Sequence, residues 1–322
     1  MEGASVNLAD TVHLPTAPPS LGTLLEWNPQ PVPLLPIIGL TLAAVYGWGV
    51  LRMHRSGRGW PWWRTACFVS GCLLLVVVMG LAIEGYGHKV FSVWMFQHLT
   101  LSITIPPLLV LGSPGQLLLR ASAHHGLGRL LLVAALAGLR SRTARTLLHP
   151  AVTIPVFLFS YYGLYFTPIL DTVASVWFGH IGVEVFFLAT GVLFIVPILS
   201  TGPLPIRQTN LGRLFDIFLE MPLHVFFGVV LMMATTPVLS MFTDPPAGWG
   251  IDPLMDQQTA GALAWSYGEP IAVVIVVVFA ARWYRDETRG TSTGLLHAQR
   301  GEDEDREAYN NYLRQLHHRG SA

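Results

Sequence analysis

Charge is scarce in this chain. Asp, Glu, Lys and Arg make up 12% of its 322 residues, about half the fraction usual for a soluble domain. Apolar types make up 52%, which excludes an ordinary soluble fold and points to a membrane protein. Cysteine is almost absent. Cys67 and Cys72 lie in one apolar run, in neither a CxxC pattern nor a single helical face. They read as small buried hydrophobes, and without a thiolate pair a tight structural zinc site is not expected. No run alternates apolar and polar residues, so spanning strands are excluded and helices remain. The first thirty residues contain no Lys or Arg, hence no signal-peptide n-region, and read as a short Pro-rich tail. No phosphate-binding loop and no paired nucleophile and base appear, so catalysis is not expected. Nor is a nucleic-acid partner.

What the chain does have is long apolar runs. Seven are long enough to cross a bilayer, near Leu34–Leu51, Thr65–Ile83, Trp94–Leu111, Ala151–Phe166, Val173–Leu199, Leu214–Thr236 and Ala262–Trp283. The fourth is short and the fifth long enough to tilt. Basic residues then set the orientation. Arg52 to Arg64, Arg120 to Arg145, Arg207 and Arg213, and the arginines from Arg282 on fall in alternate gaps, and only Lys89 falls in the other set. The positive-inside rule gives an all-α, polytopic bundle of seven transmembrane helices, N-terminus outside and C-terminus cytoplasmic. Residues 1–33 form the outer tail, 34–285 the membrane domain and 286–322 a charged cytoplasmic tail carrying His297, His317 and His318. Leu127–Leu139 is apolar but too short to cross, and reads as an interfacial helix.

Ionisable residues in such spans are rare and usually functional. Three spans carry a histidine, His98, His180 and His224, and two of these have a glutamate one turn away, Glu184 and Glu220. A fourth span carries Glu269. At about 1.5 Å per residue, His98, His180, Glu184 and Glu269 lie about 6, 10, 16 and 10 Å inside the outer boundary. Met95 precedes His98 by one turn, and Met232 and Met233 fall in the outer third of their span. Imidazole with thioether suits Cu(I), and carboxylate admits Cu(II) or Zn(II). His98, His180, His224, Glu184, Glu269, Met95, Met232 and Met233 are therefore the candidate ligands of one outer site. The bland alternatives are helix-to-helix hydrogen bonds for the histidines and packing for the methionines. His88, Met241, Asp244, Asp252, Met255 and Asp256 give the outer loops an acidic, Met-containing rim that would attract cations.

The ordered motifs WMFQHLTLSITIPPLLVLGSPGQLLLRA (Trp94–Ala121), LYFTPILD (Leu164–Asp171), LEMPLHVFFGVVLM (Leu219–Met232) and DQQTAGALAWSYGEP (Asp256–Pro270) follow one another in this chain. With ARWYRDE and AYNNYL beyond them, they resemble the CtaG-like cytochrome c oxidase assembly family. This is the seven-helix family associated with caa-type oxidases, and the likeness is to its actinobacterial branch. The resemblance implies a role in maturing haem–copper oxidases, with copper delivery. It matches the family's intramembrane histidines to His98, His180 and His224, and its loop-to-helix motif to Asp256, Gln257, Trp265 and Glu269. Where some members carry further histidines after His180, this chain has Glu184. Some actinobacterial relatives are fused to a copper-resistance-type membrane domain, which is absent here, so a separate partner is expected.

The expected function is that of a multi-pass assembly factor of the bacterial plasma membrane. It takes copper at the outer face, from an extracytoplasmic donor, and passes it to cytochrome c oxidase subunits. A haem-binding electron carrier, a copper or proton transporter and a purely structural chaperone are the alternatives.

Overall fold

The computed structural model describes residues 12–122, 126–199, 209–281, 283–285 and 288. No strand occurs among them. After the one-turn α1 (Leu21–Leu24) come α2 (Leu34–Arg55), α3 (Trp62–Gly80), α4 (Ala82–Gly87), α5 (Phe91–Leu99), α6 (Ile105–Leu111) and α7 (Pro114–Ala121). Then follow α8 (Gly126–Arg140), α9 (Arg142–Leu147), α10 (Pro150–Leu158), α11 (Ile169–Ala174), α12 (Trp177–Leu199) and α13 (Asn210–Met233). The last helix, α14, is Pro253–Arg285.

Among the described residues, six helices are long and apolar enough to cross a membrane: Leu34–Arg55, Trp62–Gly80, Phe91–Ala121, Phe178–Leu199, Leu211–Met233 and Pro253–Arg285. They coincide with six of the seven expected spans. The remaining expected span is helical over 150–165, which gives about 24 Å of length against a hydrocarbon core of about 30 Å. Proline explains both of its limits. Pro150 starts the helix where a missing N–H costs nothing, and Pro168, beyond the Thr167 hydroxyl that closes on Gly163 O (2.6 Å), ends it. α8 is helical as expected and, at 15 residues, too short to cross. The charged segment from 286 on, with His297, His317 and His318, lies outside the described residues except for Thr288.

The chain forms two compact units, Met1–Ile275 and Val276–Ala322. In the second, the described part is helical, and the Phe279 and Trp283 rings lie 6.3 Å apart. Everything that positions the candidate site belongs to the first.

The segment expected as a short Pro-rich N-terminal tail is docked from residue 12 on. His13 N–H donates to Gln30 Oε1 (3.0 Å), and Gln30 Nε2 donates back to His13 O (3.2 Å). Ala82 N–H donates to Glu26 O (3.0 Å) and the Tyr86 hydroxyl to Ala17 O (2.8 Å). Backbone at His13 and the ring of Pro15 lie directly against Gly85, where a Cβ would come within 2.8 Å of both. The segment thereby covers α4, whose six residues are all buried.

The motif beginning at Asp256 ties helix ends together. Phe91 N–H (2.6 Å) and Ser92 N–H (3.2 Å) donate to the Asp256 carboxylate, an anion at the start of α5 where the helix dipole favours it. Gln257 accepts from Val238 N–H (2.7 Å) and donates to Thr236 O (3.2 Å), fixing the turn after α13. Asp171 does the same for the Ser240 and Met241 amides (2.9 and 3.1 Å). Asp256 is thus a buried clasp and no part of an open acidic rim.

One irregularity bears on the site. Thr100–Thr104, between α5 and α6, winds as a π-turn. Pro106 and Pro107 have no N–H to offer Ser102 O and Ile103 O, so ordinary α pairing fails there and the wider turn absorbs the mismatch. Ser102 O then packs directly on Gly191 of α12, a contact with no room for a Cβ.

Candidate metal centre

α4 is short because Leu81 breaks from α3 in extended conformation (φ −104°, ψ −174°) and His88 closes the helix within two turns. That break turns Glu84 and His88, four residues apart, toward the first turn of α12, where His180 stands. The His88 and His180 rings stack with centroids 3.8 Å apart and planes 21° from parallel. His180 Nε2 lies 3.1 Å from Glu184 Oε1 and 3.6 Å from Glu84 Oε1. Glu84 Oε1 lies 3.8 Å from His88 Nε2. Gln97 Nε2 donates to the other Glu84 oxygen at 2.5 Å, fixing the carboxylate from the side away from the histidines. One ligand atom from each of Glu84, His88 and His180 falls within 4.8 Å of the others.

Burial makes this arrangement informative. His180 is 1% exposed, Glu184 3% and Glu84 4%. Two carboxylates with so little solvent are balanced either by a proton kept on one of them or by a bound cation. His180 also leaves both ring nitrogens without a well-directed hydrogen bond, close as its carboxylate neighbours are. Burial and the adjacent His180 push the His88 imidazole down to about 3, so at neutral pH His88 keeps a lone pair for a cation. The donor set, two imidazoles and one or two carboxylates, is that of a borderline ion such as Cu(II) or Zn(II). Ligands at about 2.0–2.2 Å from a metal lie no more than about 4.4 Å apart. The observed spacing therefore closes on an ion with sub-ångström side-chain shifts. A cavity of about 350 Å³, mouth included, opens beside the group, lined also by Met79, Gln30, Pro33 and Ile181. Met79 offers a thioether in that cavity.

The other sequence-predicted ligands lie elsewhere. His98 is 0% exposed, stacked on Phe187 at 3.7 Å and on Tyr161 at 4.5 Å, with Nδ1 hydrogen-bonded to the Tyr165 hydroxyl (2.9 Å). Rings separate it from His180: Trp94 lies 4.6 Å from His180 and 5.8 Å from Phe187. His224 sits 4.7 Å beyond Tyr161, its Nδ1 3.3 Å from Glu220 Oε1. Glu269 lines a second cavity with Glu220 and His224. Met95 is fully buried one turn before His98, and Met233 is 76% exposed. Met232 packs against Gly261 of α14.

The expected single pocket is thus divided. His180 and Glu184 join Glu84 and His88, while His98, His224 and Glu269 stand apart from them. The Glu84 contribution was missed because Glu84 falls one residue past the apolar run. Its spacing to His88 repeats that of His180 to Glu184 and was the available signal.

A multi-pass helical membrane protein with a buried His and Glu cluster is the class these features define. Residues 44–286 match the cytochrome c oxidase caa3 assembly factor family, and the chain belongs to that family. The match contains Glu84, His88, His98, His180, Glu184, His224 and Glu269. With its long apolar helices, the match places the protein in the bacterial plasma membrane. Uncharacterised proteins of Mycobacterium bovis and Mycobacterium tuberculosis are each 34% identical over 313 residues, 94% of this chain and 46% of theirs. One from Mycobacterium leprae is 34% identical over 295 residues, 88% of this chain and 44% of its own. The chain therefore spans a little under half the length of these relatives. No solved structure matches it.

Proposed function

We propose that the chain binds copper through Glu84, His88 and His180, with Glu184 beside them, and hands it to a cytochrome c oxidase subunit. The observation that carries this reading is the convergence of two imidazoles and two carboxylates in a nearly solvent-free pocket. A cation there offsets the buried negative charge, and imidazole nitrogens lacking good partners become its ligands. With seven membrane passes and the N-terminus outside, as the arginine distribution implies, the cluster lies at the outer face. A separate outer donor supplies the metal there.

Delivery also needs release. The donor set mixes nitrogen and carboxylate oxygen, and its spacing is looser than a closed structural site. Such a site gives up its ion by ligand exchange more readily than four thiolates would. The cavity lined by Met79 and Pro33 is the route by which a competing ligand approaches. Haem is disfavoured at this cluster, because rings stacked at 3.8 Å leave no space for a macrocycle between them.

The test is copper analysis of the purified full chain after incubation with one equivalent of copper and desalting. About one copper per chain is expected for wild type, and none for His88→Ala with His180→Ala. Wild type that retains no copper would overturn the reading.

A further inference from the structure

The second cavity, an open groove that encloses about 40 Å³, lies among α6, α10, α12, α13 and α14. Its walls are mostly apolar, including Phe157, Phe194, Ile217 and Trp265. That apolar character suits a lipid-soluble molecule better than an ion. Its polar groups are few. His224, 6% exposed, has Nδ1 next to Glu220 and Nε2 with no partner. With Nδ1–H donating to the Glu220 carboxylate, Nε2 is left as an acceptor at the cavity wall. Glu269, on α14, is a second acceptor in the same lining, on the exposed side of its helix.

Depth narrows the ligand. His224 lies fourteen residues along α13, about 21 Å from its start and near mid-span. A phospholipid places only acyl chain at that level, and its phosphate would in any case be repelled by Glu220 and Glu269. Acceptors at mid-membrane call for a lipophile that carries hydroxyl donors into the bilayer interior. Acceptors on two helices call for two hydroxyls, and aromatic walls suit a flat ring.

We propose that this groove binds a membrane-soluble quinol, one hydroxyl donating to His224 Nε2 and the other to Glu269. The site is independent of the Glu84, His88 and His180 cluster.

The experiment is anaerobic titration of the full chain in nanodiscs with decylubiquinol, read by tryptophan fluorescence, beside the same compound with both hydroxyls methylated. Quinol binding at least tenfold tighter than the ether is expected. His224→Phe and, separately, Glu269→Gln are each expected to weaken quinol binding at least fivefold while copper content stays unchanged. Glu269→Gln alters a group on the exposed side of α14, so it keeps the test valid if His224→Phe folds poorly. Equal binding of quinol and ether would make the groove a place for acyl chains and overturn the proposal. So would loss of one copper equivalent in His224→Phe with quinol binding intact.

Discussion

Two polar regions of the same bundle solve burial in opposite ways. Around His180 the solution is charge: two carboxylates and two imidazoles within about one ion's reach of each other. Around His98 it is aromatic packing, with Phe187 at 3.7 Å, Tyr161 at 4.5 Å and a single hydrogen bond to Tyr165. On the copper reading proposed above, a cation completes the first arrangement. Among the described residues, the second leaves His98 Nε2 unpaired and is otherwise a packed core. The lesson is that an intramembrane histidine is informative through its neighbours. The carboxylates beside His180 are what the proposed ion site rests on, and the rings beside His98 make a structural joint.

The sharpest way to break this contrast is to remove a histidine from each region. His180→Ala strands Glu84 and Glu184 without their imidazole, and loss of a buried charge partner costs about 3–5 kcal/mol. Copper content should fall to near zero and the unfolding temperature should drop. His98→Ala should leave copper content unchanged. Gly191→Val tests the joint itself. A side chain there collides with the Ser102 backbone, and overpacking of this kind costs about 1–3 kcal/mol, read as a lower unfolding temperature with copper retained. Tyr165→Phe removes one buried hydrogen bond from His98, worth about 1–2 kcal/mol. It should lower stability and spare copper. Asp256→Asn weakens the clasp on the Phe91 and Ser92 amides, about 1 kcal/mol, visible as faster hydrogen exchange at the start of α5.

Much of the fold was legible because hydrophobic run length dictates where helices cross. The fourth segment came out short because its bounding prolines set its ends regardless of hydropathy. Of the site, His180 and Glu184 were legible from their four-residue spacing. Glu84 and His88 were not placed there, because they follow the apolar run that ends at Ile83. Sequence alone gave no hint that α4 folds back onto α12. The grouping of His98 with His180 failed to appear in the structure for a related reason. Counting residues along a helix yields depth and says nothing about the direction in which a side chain points. The two imidazoles expected at similar depth have the Trp94 and Phe187 rings between them.

The most direct measurement is copper stoichiometry in matched double variants, with folding verified by circular dichroism. His88→Ala with His180→Ala should abolish the single bound copper, and His98→Ala with His224→Ala should keep it. The reverse pattern, copper kept by the first pair and lost from the second, would contradict the assignment of the metal to the carboxylate-flanked cluster.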